Sequence, residues 1–150
     1  MQKDNILTNE LRDQFLKEFI PILTVDILPF ILDNYLPKYI KDSDFAKDPS
    51  KALLYLIDHL HNTTNINLRF LSIILNEIRA IYNKLKHNKD IDIRIIRRIL
   101  NCLGDLNLLI NDDKIKSSYN YIIAFCIKNR LLIKEVEDEI KIYHFNLKKN

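Results

Sequence analysis

The sequence predicts a mainly α-helical fold: a compact bundle of five or six helices with a C-terminal β-hairpin. Three observations predict it. Apolar residues recur at three- and four-residue steps through most of the chain. There are 25 Ile and 23 Leu against two Val and a single Gly, so large side chains on helical stripes dominate. Only near the end does the period change, where Ile140-Lys141-Ile142-Tyr143 reads as a β-rich run. A chain of 150 residues is one domain's worth and can bury an ordinary core without staples.

The elements follow in order. A first helix is expected from Thr8 or Asn9 to Phe19, with Leu11, Phe15, Leu16 and Phe19 on one face, and Pro21 interrupts it. Residues 24–36 form a second stretch that Asp26 can cap, with Pro29 near its first turn and Pro37 stopping it. Residues 40–48 are a polar connection. Asp48 and Pro49 mark the clearest start, an N-cap followed by proline at the first helical position. Ala52, Leu53, Leu56, Ile57 and Leu60 form that helix's apolar face, and residues 61–65 end it.

The fourth helix begins after Asn65 and continues to about Lys86. Its expected inward stripe is Ile66, Phe70, Ile74, Ile78, Ile81 and Leu85, widened by Leu71 and Leu75. After a short turn at 87–90, Asp92 can cap a fifth helix with Ile95, Ile96, Ile99, Leu100 and Leu103 inward. Gly104 is its natural C′ residue. Leu106–Ile110 is a short apolar piece. Ser117 or Ser118 can cap a sixth helix ending near Asn129, with Tyr119, Ile122, Ile123, Phe125 and Cys126 inward. Residues 131–145 read as the hairpin; the alternative is a further helix with Ile133, Val136, Ile140 and Tyr143 on one face.

One glycine excludes the phosphate-cradling loops GxGxxG and GxxxxGK[ST] and the GxSxG nucleophile elbow. Cys102 and Cys126 stand 24 residues apart in apolar runs and read as buried thiols rather than a disulfide or metal site. His59 and His61 are two apart, so on a helix they diverge by about 200° and do not form a zinc pair. Residues 19–32 are 14 positions with two prolines and Asp26, too short for a membrane span. The beginning of the chain is acidic and lacks an apolar leader. The expectation is a cytoplasmic protein with no cofactor, metal, membrane or small-molecule substrate, and no catalysis.

Charge is unevenly placed. Residues 1–60 carry a net −3, residues 61–102 a net +5 and the remainder +1. The basic segment holds Arg79, Lys84, Lys86, Lys89, Arg94, Arg97 and Arg98, candidates for binding an anionic partner.

The order from residue 92 onward, helix, short apolar turn, helix and hairpin, resembles a winged helix. That resemblance divides the chain into a helical part, 1–90, and a winged-helix-like part, 91–150. It implies nucleic-acid binding, with Ser117, Asn120, Tyr121 and Lys128 facing outward from the recognition helix. Glu135, Glu137, Asp138 and Glu139 near the wing tip oppose it. Ile96, Leu100, Leu103, Gly104 and Asp105 resemble the BH3 signature of Bcl-2-type cell-death regulators, though Asn107 departs from it and no NWGR motif is present. The favoured expectation is a non-catalytic adaptor that binds a protein, or itself, through helix faces.

Overall fold

The computed structural model describes residues 6–35, 47–88, 90–132 and 142. Among them the protein is a compact, mainly helical bundle with no strand; the only β-type pairing is an antiparallel bridge between Ile6 and Asp92. The hairpin expected at 131–145 lies outside the described residues except for Leu131, Leu132 and Ile142, none of which is in a strand.

Helix α1, Asn9–Pro21, starts where its chemistry dictates: the Thr8 hydroxyl accepts the Leu11 N–H at 3.2 Å. The regular α-helix is interrupted at Pro21, as the sequence suggests, but the chain does not leave the helical path. The chain passes through a π-helical turn, Ile22–Ile27, into α2, Leu28–Tyr35, as one continuous rod. A proline inside a helix removes one i→i−4 donor and crowds the preceding turn. Here Pro21 and Pro29 bracket the wider turn, in which the Leu28 N–H reaches back to Leu23 O. The Thr24 hydroxyl adds a donor to Ile20 O at 2.9 Å. Asp26 therefore caps nothing; it sits mid-rod.

Helix α3, Pro49–His61, begins at the expected cap, with Asp48 Oδ1 accepting the Lys51 N–H at 3.2 Å. Asn65 starts α4, Ile66–His87, by accepting from Asn67 and Leu68. With 22 residues, α4 is roughly 33 Å long. The Arg79 side chain donates to Ser50 O at 3.1 Å and ties α4 antiparallel to α3.

Helix α5, Ile95–Leu109, overturns three expectations. It starts later than Asp92, which instead receives the Arg94 N–H on its carboxylate at 2.9 Å and the Ile95 N–H on its carbonyl at 3.1 Å. It runs straight through Gly104, which is buried in the helix and has no positive φ. Leu106–Leu109 is its continuation, not a separate piece. Packing explains the difference: Gly104 faces the bundle, and the burial of Leu103 and Leu106 on either side outweighs its weak helix propensity.

Helix α6, Asp113–Lys128, is capped by Asp112, whose Oδ2 accepts the Ile115 N–H at 3.0 Å. Ser117 and Ser118 are inside it, so neither is the cap. Its end is a Schellman-type turn: Arg130 takes φ 54° and the Leu131 N–H reaches Cys126 O at 2.9 Å. With α5 unbroken to Leu109, the connection to α6 is residues 110–112 rather than the apolar piece expected at 106–110.

One contiguous apolar core runs from Leu7 to Leu132. α3 packs on α4, α4 on α5, α5 on α6, and α6 returns to the π turn and α1. The α4 stripe is rotated from its expected position. Leu71, Leu75, Ile78, Ile81, Tyr82 and Leu85 are buried, while Ile66 and Phe70 point outward.

Candidate partner-binding face

The rotation of α4 creates the most distinctive surface. Ile66, Phe70 and Ile73 are 64%, 52% and 62% exposed, where full burial of such side chains is worth about 1.5–3 kcal/mol each. Their spacing of four and three residues puts them in one row, which continues to Glu77 and, five full turns from Ile66, to Lys84. One side of the helix is thus apolar at its N-terminal half and charged at its C-terminal half.

Helix α5 lies beside this row. Glu77 on α4 is ion-paired to Arg98 on α5. Beyond that pair, Lys84, Ile91, Asp92, Arg94, Ile95 and Arg98 line a surface cleft of about 200 Å³. Arg94 is held in a fork on Asp92, Nε to Oδ1 at 3.1 Å and Nη2 to Oδ2 at 2.6 Å. That side-chain contact, with the backbone N–H of Arg94, holds the Asp92 carboxyl down at about 2. Lys84 is exposed and has no ion-pair partner among the described residues. The cleft lining combines three cations with one carboxylate, Asp92, and Glu77 borders it through its pair with Arg98.

The basic segment therefore does not act as one patch. Lys84, Arg94 and Arg98 converge. Arg79 is half-buried and spent on Ser50 O, and Lys86 leans over the Tyr82 ring with its Nζ 5.7 Å from the centroid. Arg97 is exposed on α5 outside the cleft lining. Lys89 lies outside the described residues.

The candidate recognition residues are placed differently. Ser117, Tyr121 and Lys128 are exposed on α6, and Asn120 is half-buried. The Tyr121 hydroxyl donates to Glu18 Oε2 at 2.7 Å, and that hydrogen bond raises its pKa. One turn away, Ser118 Oγ donates to Asp26 Oδ2 at 2.5 Å, and Lys114 Nζ is 3.6 Å from Asp26 Oδ1. Two carboxylates thus border this helix.

The thiols are chemically quiet. Burial pushes both Cys102 and Cys126 up to about 12. Among the described residues no group of three His, Cys, Asp or Glu is arranged to hold a metal ion, and no helix is long and apolar enough to cross a membrane. Comparison of the chain with protein-family models, curated proteins and solved structures finds no match in any of the three.

Sequence reasoning assigned Ile66 and Phe70 to the core and passed over Ile73. The available signal was width: with Leu71, Leu75 and Tyr82 added, the apolar arc of α4 is broader than one packed face requires.

Proposed function

We propose that this chain is a non-catalytic binding protein that engages a protein partner along the exposed side of α4 and the adjoining edge of α5. The observation that carries this reading is the exposed row Ile66, Phe70 and Ile73 running into Lys84, Arg94 and Arg98. Contiguous apolar side chains rimmed by charge mark protein interaction sites. A cleft of about 200 Å³ falls short of the roughly 300–1,000 Å³ of small-molecule pockets, and high thiol pKa values argue against cysteine nucleophiles. Two buried free thiols suit a reducing, cytoplasmic setting.

Nucleic-acid binding is the weaker reading. Asp92 and Glu77 already neutralise two cations of the cleft, and Glu18 and Asp26 border α6, where phosphates would be repelled. The BH3-like stripe is weaker still. Ile96, Leu100 and Leu103 are buried in the protein's own core and cannot fill another groove without unfolding it.

Panning a random-peptide library against the protein tests the reading. Binders whose affinity falls about tenfold or more on Phe70→Asp are the expected result. Recovery of no binders, or only binders indifferent to Phe70→Asp, overturns it, as does salt-sensitive retention of DNA lost on Lys84→Glu.

A further inference from the structure

Resting on the reading just given, we infer that the partner segment is an amphipathic helix with an acidic end. Its apolar ridge lies on Ile66, Phe70 and Ile73, and its carboxylates lie over Lys84, Arg94 and Arg98. Ile66 and Lys84 share one direction around α4, so the receiving face is straight and about 27 Å long. A straight face flanked by a second helix takes a rod, and a helix of about 18 residues spans that length. A strand gains most of its affinity from backbone pairing along a sheet edge, and no sheet edge exists among the described residues.

Charge selects the acidic end. Lys84 makes no ion pair among the described residues, the Asp92 carboxylate of the same cleft being engaged by Arg94, and Arg98 is half-exposed even within its ion pair. A carboxylate placed over the cleft therefore gains Lys84 outright and shares Arg94 and Arg98 with Asp92 and Glu77. A second copy of this chain fits less well. A two-fold axis across α4 lays one copy's basic half on the other's apolar half, and an axis along α4 lays basic on basic. Only an axis centred near Phe70 avoids both, and it leaves the basic half uncovered.

The test uses the full chain and two synthetic 18-residue helical peptides, read by fluorescence anisotropy at moderate salt. Both carry three leucines on one face of the first half; the second half carries three glutamates in one peptide and three lysines in the other. The glutamate peptide is expected to bind about tenfold tighter or more. Lys84→Glu should shrink or invert that preference, and Phe70→Asp should weaken both peptides. Equal binding of the two peptides, still sensitive to Phe70→Asp, overturns the acidic partner while the binding face stands. If neither peptide binds but library-selected peptides remain sensitive to Phe70→Asp, the helical partner is wrong and the face again stands. Sedimentation completes the experiment: a dimer dissolved by Phe70→Asp would assign the face to a second copy instead.

Discussion

Asp26 and Ser118, 92 positions apart, meet at 2.5 Å, hydroxyl to carboxylate, and join the π turn to α6. Together with the Lys114–Asp26 ion pair it supplies the polar contact between two elements that otherwise meet through apolar packing. Removing the donor with Ser118→Ala should cost about 1 kcal/mol, while Asp26→Ala should cost about 1–3 kcal/mol because the part-buried hydroxyl then loses its acceptor. Lys114→Ala should change stability little, since that lysine is two-thirds exposed. Urea unfolding of the three variants gives the ranking; a Lys114→Ala loss equal to the Asp26→Ala loss would contradict it.

The Asp92–Arg94 fork makes a pH-dependent contribution. The Asp92 carboxyl titrates at about 2 in the folded protein, below its ordinary 3.8. A depressed folded value means that the stabilisation is complete above about pH 3.8 and disappears as pH falls through about 2. The gap in Tm between the wild type and Asp92→Asn should therefore be widest near about pH 5 and narrow steadily below about pH 4. A gap that stays constant across that range would show that the carboxylate is not held in this way.

Neighbouring residues on α4 should respond in opposite fashion. Phe70→Ser should shift unfolding by less than about 0.5 kcal/mol, because Phe70 lies on the surface. Leu71→Ala, one position along and buried, should cost about 2–5 kcal/mol. Denaturant midpoints for the pair report the orientation of the helix directly, and equal losses would place Phe70 in the core.

Cys102 and Cys126 should stay unmodified by a thiol reagent at about pH 8 while the protein is folded. Their protonated form is favoured by burial in both cases, and for Cys102 also by the Glu77 and Asp105 carboxylates. Both should react once urea unfolds the chain. Fast labelling of either thiol in native buffer would mean that the bundle opens around it.

Local chemistry made some elements legible. Asp48-Pro49 and Asn65 announce helix starts through side chains that bond the next few N–H groups, and those starts stand where the sequence puts them. Gly104 misled for the same reason in reverse: it carries a strong local preference for a stop, and packing of the residues around it prevails. Ser117 and Ser118 drew the cap away from Asp112 because four capping residues, Asp112, Asp113, Ser117 and Ser118, stand within seven positions. At the candidate site, the convergence of Lys84 with Arg94 and Arg98 depends on the turn between α4 and α5. No periodicity within either helix could have separated these three from Arg79 and Lys86.

The π turn at Ile22–Ile27 has a further consequence for how this protein can vary. Such a turn carries one residue more than the α turn it replaces. It sets the angular phase between Phe15 and Phe19 before it and Ile31 and Leu32 after it, all four of which are buried. Dropping one residue there would restore a uniform helix yet swing the second pair about 100° off the interior. Side-chain identity in this stretch is negotiable at exposed positions such as Val25, whereas its length is not, so single-codon deletions should be tolerated far less there than substitutions.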